Sequence, residues 1–191
     1  MPLIILMWVS VAKGQDLSYG IKGGPNLVKV GNLDITNRFK PGFHFGFYST
    51  FRPYRMDISI TNEVNFSMKG VSLVLPDSLV ENGANKYTRS FNYIDLPVIL
   101  NYHISDNFYI SAGIQPSLYA YFKIPSWHLV PYNKDNVSII DFSALIGAVI
   151  QMDKIGFGVR YNHSFVPTFQ NDRGRNHMFQ VFLAYELDTR R

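Results

Sequence analysis

The sequence predicts an all-β fold: an eight-stranded antiparallel up-and-down transmembrane β-barrel with long extracellular loops and short periplasmic turns. Three observations predict it. They are one strictly alternating segment, its repetition along the chain, and a regular rhythm of long and short connections. The clearest segment is Asn107 to Phe122. One side reads Phe108, Ile110, Ala112, Ile114, Leu118, Ala120 and Phe122; the other reads Tyr109, Ser111, Gly113, Gln115, Ser117, Tyr119 and Tyr121. Such alternation marks an extended strand, because successive side chains point to opposite faces. The run exceeds the usual strand of about five or six residues and suits a tilted strand across a bilayer, which needs roughly 9–11. A greasy, aromatic-ended face opposite a small, polar, tyrosine-rich one matches lipid outside and a polar interior.

The other segments follow in order. Tyr19 to Leu27 is a glycine-rich first strand with Lys22, Gly24 and Asn26 on one side. Gly42 to Arg52 sets Phe43, Phe45, Phe47 and Phe51 against His44, Gly46, Tyr48 and Thr50. Met56 to Lys69 sets Ile58, Ile60, Val64, Phe66 and Met68 against a face that includes Ser59, Thr61, Glu63, Asn65 and Lys69. Asn92 to His103 sets Ile94, Leu96, Val98, Leu100 and Tyr102 against Tyr93, Asp95, Pro97, Ile99 and Asn101. Ser138 to Gln151 sets Ile140, Phe142, Ala144, Ile146 and Ile150 against Asp141, Ser143, Gly147 and Gln151. Ile155 to Phe165 sets Ile155, Phe157, Val159 and Tyr161 against Gly156, Gly158, Arg160 and Asn162. Met178 to Leu187 sets Phe179, Val181, Leu183, Tyr185 and Leu187 against Gln180, Ala184 and Glu186. With the clearest segment this makes about eight strands, an even number, as such barrels need.

The connections alternate. Val28 to Pro41, Gly70 to Lys86, Lys123 to Val137 and Val166 to Arg175 are long, whereas Pro53-Tyr54-Arg55, Ser105-Asp106-Asn107 and Met152-Asp153-Lys154 are short. Outer-membrane barrels keep short turns in the periplasm and long loops outside. A lipocalin-like soluble cup has no reason to keep that rhythm, and it would turn its apolar face inward.

Composition agrees. The chain has 191 residues, which suits one domain, with 15% aromatic residues and only 17% charged ones. Aromatic girdles explain the first figure, and the second lies below the roughly 25% of a soluble domain. A net charge of +4 makes no case for nucleic acid. With no cysteine, disulfides, thiolate metal sites and a cysteine nucleophile are excluded. Leu3 to Val11 is an apolar run too short to span as a helix, and Ala12-Lys13-Gly14 places small residues before Gln15 as signal cleavage requires. We therefore expect a signal peptide over 1–14, although a positive n-region is missing, and a barrel domain over 15–191. No stretch reaches the roughly 18 apolar residues of a membrane helix, and a helix-free membrane protein must close its sheet.

Three motifs resemble one family. Gly20-Ile21-Lys22-Gly23-Gly24-Pro25-Asn26-Leu27 is similar to the opening strand of the PorT-like outer-membrane β-barrel family. Tyr93-Ile94-Asp95-Leu96-Pro97-Val98-Ile99-Leu100-Asn101-Tyr102 resembles its fourth strand, and Gly156-Phe157-Gly158-Val159-Arg160-Tyr161-Asn162 its seventh. The resemblance spans about Tyr19 to Leu187. It implies an eight-stranded barrel in the outer membrane of a Gram-negative bacterium. It also implies a link to secretion, since the family is named for a member needed to export proteases. One departure is the end of the chain, Tyr185 to Arg191, which does not finish on the aromatic residue common in barrels.

The predicted interior carries Lys22, Glu63, Asp95, Arg160 and Glu186, with Lys69 and Asp141 nearer the ends. Side chains fill the lumen of an eight-stranded barrel, so buried charges there must pair. We read them as a structural charge network that locks strand register, in preference to an ion path. Asp95 beside Pro97 fits that role, since proline removes a ladder donor and marks a strand irregularity.

Catalytic candidates are few. His103 and Ser105 share a face, as a nucleophile and its base must, but they abut the predicted periplasmic turn, away from outer-leaflet lipid. His163 and Ser164 point to opposite faces, while Asp172 and His177 flank the last loop. No phosphate-binding glycine loop opens a helix, and His128 has no partner at ligand spacing. We expect no enzyme, no cofactor and no metal. The predicted loops hold Lys29, Arg38, Lys40, Lys86, Lys123, Lys134, Arg173 and Arg175, which suit either the ordinary solubility of exposed loops or a basic rim for lipopolysaccharide, and Trp127 with Tyr132 suits a girdle or a partner contact. The expected partners are outer-membrane lipid, lipopolysaccharide and secretion or envelope proteins. A lipid-modifying barrel enzyme, a narrow pore and a lipocalin-like binder are the alternatives.

Overall fold

The computed structural model describes residues 15–31, 37–74, 86–120, 138–168 and 174–190. Its strands are β1 (Gln15–Gly31), β2 (Lys40–Pro53, preceded by a two-residue piece Asn37–Arg38), β3 (Ile58–Val74), β4 in two halves (Lys86–Asp95 and Val98–Ser105), β5 (Phe108–Tyr119), β6 (Ile140–Met152), β7 (Ile155–Pro167) and β8 (Arg175–Arg190). Each pairs antiparallel with its neighbours, and β1 pairs with β8, from Leu17↔Arg190 to Gly31↔Arg175, which closes an eight-stranded barrel. Closure leaves no free edge of backbone donors and acceptors.

The faces follow the alternation. Phe47, Ile146, Val159 and Val181 point outward and are more than half exposed, while Glu63, Asn101, Ser117 and Asn162 point inward and are buried. A continuous apolar surface of this extent is not sustained in water, so it is a lipid-facing one. Short turns at one end join β2 to β3, β4 to β5 and β6 to β7. In the last of these Asp153 takes φ 50, a left-handed conformation that aspartate tolerates.

The strands run further than their alternation predicts. The long connections expected at Val28 to Pro41, Gly70 to Lys86 and Val166 to Arg175 are shortened, because β1 continues to Gly31, β3 to Val74 and β7 to Pro167. Pro97 interrupts β4, where it brings no N–H to the ladder. The register is the same on both sides of it: Asn65↔Asp95 and Asn62↔Val98 on β3, Asp95↔Ser117 and Val98↔Ile114 on β5. Leu96 N still donates to Pro116 O at 2.8 Å, so one ladder donor is lost with no slip.

Two layers fill the lumen. At the long-loop end Val30, Val71, Phe91 and Tyr93 are buried and pack with Tyr119, whose ring lies 5.5 Å from that of Tyr93. Polar and charged residues dominate the rest, with Ile99, Leu145, Val149, Met178 and Phe182 buried among them.

Candidate functional site

The lumen charges fall into two clusters. In the first, Glu63 on β3 receives two cations. Arg160 on β7 donates through both terminal nitrogens, each at 2.9 Å, and Lys22 on β1 donates at 2.9 and 3.0 Å. Asn65 adds a bond of 2.8 Å to the same carboxylate. The Phe182 ring lies 4.0 Å from the Lys22 ammonium and 5.3 Å from the Arg160 guanidinium, so the cations also rest on an aromatic face. Because β3 and β7 are opposite strands of the closed sheet, the Glu63–Arg160 pair bridges the lumen.

In the second cluster one cation meets two anions. Lys69 on β3 stands 3.1 Å from Asp141 on β6 and 3.2 Å from Asp95 on β4, and it donates to Ser117 at 3.1 Å. Ser164 donates to the other oxygen of Asp141. The first cluster carries a surplus positive charge and the second a surplus negative one, so together they are neutral. Three cations and three anions buried without this balance would each cost several kcal/mol. Glu186, expected with them, lies half-buried at the short-turn mouth, in the lining of the same cavity as Lys22, Glu63 and Arg160.

Between the first cluster and the short turns lies a cavity of about 260 Å³, lined by Ser59, Thr61, Asn101, His103 and Tyr109 among others. Its rim carries Asp16, Arg52, Asp106 and Glu186. The ion clusters and the apolar layer close it toward the long loops, which makes it a blind cup.

His103 does not pair with Ser105. The register shifts between these two residues, leaving Ser105 exposed, and His103 Nε2 meets Ser59 Oγ across the strands at 2.9 Å instead. Asn101 donates to Ser59 at 3.2 Å and to Thr61 at 2.8 Å, and Ser111 donates to Asn101 at 2.8 Å. This network is legible only from register, since Ser59, Asn101 and Ser111 are cross-strand partners. No carboxylate holds His103 Nδ1 among the described residues, so the third member that orients a catalytic base is missing there. His163 and Ser164 do face opposite ways. Asp172, His128, Trp127 and Tyr132 lie outside the described residues, and among the described ones His177 bonds to Tyr161. Lys40, expected on the basic rim, is buried with 3% exposure, because β2 begins there and Lys40 takes an inward position.

Similarity agrees with this architecture. The chain resembles Neisserial surface protein A at 10% identity, with 90% of this chain and 96% of that one covered and a TM-score of 0.51. It resembles the Yersinia pestis outer membrane protein Ail at 12% identity, with 89% and 99% covered and a TM-score of 0.51. At such identities the likeness is one of fold alone. No curated protein matches the sequence. The outer membrane protein beta-barrel domain family, however, matches residues 12–170. With its closed sheet, apolar exterior and charge-filled lumen, the chain belongs to the outer membrane protein beta-barrel domain family and resides in the outer membrane of a Gram-negative bacterium.

Proposed function

We propose that this protein is a non-conducting, non-enzymatic barrel, a PorT-like scaffold or accessory to protein secretion that works from its periplasmic side. One observation carries the reading: the lumen is blocked toward the cell exterior by two ion clusters and an apolar layer, yet opens to the periplasm as a cup of about 260 Å³. A blocked lumen argues against a pore. A Ser59–His103 pair with no orienting acid among the described residues argues against a hydrolase. The cup, the short turns and the rim of Asp16, Arg52, Asp106 and Glu186 offer a polar surface to periplasmic machinery or to cargo in transit. The buried charges Lys22, Glu63, Asp95 and Arg160 then serve as a rigid filling that fixes register and holds this surface in shape, and Glu186 belongs to the rim.

The test compares the secreted, surface and periplasmic proteomes of a deletion strain with its parent, complemented by wild type and by Asp106→Lys/Glu186→Lys. Cargo trapped in the periplasm, restored by wild type and not by the rim variant, is the expected result. Unchanged secretion in the deletion strain would overturn the reading.

A further inference from the structure

On the lipid-facing side, strand register lays out rows across β1, β8 and β7. Leu27, Phe179 and Tyr161 are cross-strand partners; one step nearer the extracellular end so are Lys29, His177 and His163. Toward the periplasm from this second row, the outward positions of these strands from Ile21, Tyr185 and Ile155 onward carry no charge. The Lys29–His177–His163 row is thus where the apolar band ends, and Arg175 follows it on β8.

The row is built rather than incidental. Tyr161 Oη lies 2.7 Å from His177 Nδ1, and His163 Nδ1 lies 3.3 Å from the same atom. A bond from the Tyr161 hydroxyl to Nδ1 puts the His177 proton on Nε2, which makes that edge a donor. Gly31 leaves the edge open, since a Cβ there would stand 2.7 Å from His177 Nε2. Lys29 sits 5.7 Å from the centre of the Phe39 ring, and Phe39 packs edge-on against Phe179 at 6.3 Å. A row of one ammonium and two imidazoles therefore stands directly above an aromatic floor formed by Phe39, Phe179 and Tyr161.

We propose that this row binds the phosphate of an anionic outer-leaflet lipid, lipopolysaccharide, with Lys29 and His177 on the phosphate and an acyl chain along Phe39, Phe179 and Tyr161. Ammonium and imidazole donors match phosphate oxygens with charge-assisted hydrogen bonds. The aromatic floor selects a lipid over free phosphate, because it is part of the surface that acyl chains already cover. The site lies outside the barrel and is independent of any periplasmic role.

The test is native mass spectrometry of the folded barrel titrated with diphosphoryl lipid A, monophosphoryl lipid A and inorganic phosphate. Wild type is expected to retain the diphosphoryl lipid best. Lys29→Gln/His177→Gln should cut retention at least tenfold, whereas Lys154→Ala in a periplasmic turn should not change it. A cold-against-boiled gel shift checks that each variant is folded. If the double variant does not fold, Lys29→Gln alone and the loss of wild-type binding with added salt decide the matter. Undiminished retention by a folded variant, or salt-independent binding, would overturn the proposal. Equal occupancy by inorganic phosphate would overturn the choice of a lipid.

Discussion

Glu63 holds two buried cations, so its removal is the sharpest perturbation of the lumen. Glu63→Gln keeps the shape of the side chain but leaves Lys22 and Arg160 facing each other with no carboxylate between them. Breaking one buried pair by deleting a partner costs roughly 3–5 kcal/mol. Two cations lose their partner here, and the Phe182 face recovers only part of that, so the upper half of the range is expected. At about 1.4 kcal/mol per tenfold, the folded-to-unfolded ratio should fall by roughly three to four powers of ten. Urea unfolding from lipid vesicles reads this as a lower midpoint. Adding Lys22→Met to the variant removes one stranded charge and should restore part of the loss. A Glu63→Gln barrel within about 1 kcal/mol of wild type would refute the reasoning, because it would mean that water from the cup screens the cluster.

Three further outcomes follow from the same geometry. Lys69→Met strands Asp95 and Asp141 together and should destabilise the barrel by roughly 3–5 kcal/mol in the same urea assay, whereas Glu186→Gln at the half-buried rim should cost less than about 1 kcal/mol. Ile146→Arg places a charge on the lipid face at mid-strand and should cost about 2–4 kcal/mol, measured by folding into vesicles. Ser59→Ala and His103→Ala should leave the lipid A mass spectrum of the host unchanged; a lost or altered acyl chain in either strain would revive the lipid-modifying alternative.

The sequence was most legible where lipid does the sorting. On β8 the set Phe179, Val181, Leu183, Tyr185 and Leu187 is outward because hydrocarbon accepts nothing else, and alternation alone separates it from the inward residues. Legibility fell where the strands leave the bilayer. At the extracellular ends the outward positions turn polar, as at Lys29 and Arg175, while inward positions such as Val30, Val71, Phe91 and Tyr93 turn apolar. The pattern inverts its phase there, so Val28 to Gly31 reads as loop and the apolar layer that seals the lumen leaves no simple signature. Pairing was also hidden. Parity assigns Lys69, Asp95 and Asp141 to the interior, but their meeting depends on the stagger of β3, β4 and β6, which only the register supplies. For the same reason His103 finds Ser59 across the sheet rather than Ser105 beside it.

The central claim is that the apolar faces contact lipid and the polar faces fill the lumen. Because the chain has no cysteine, single cysteines can be introduced without a background. Spin labels placed one at a time from Phe179 to Leu187, in reconstituted membranes, should show oxygen access with a period of two residues. The account predicts maxima at Phe179, Val181, Leu183, Tyr185 and Leu187 and minima at Gln180, Phe182, Ala184 and Glu186. The opposite phase, with the polar set open to solvent and the apolar set shielded, would contradict it and describe a soluble cup instead.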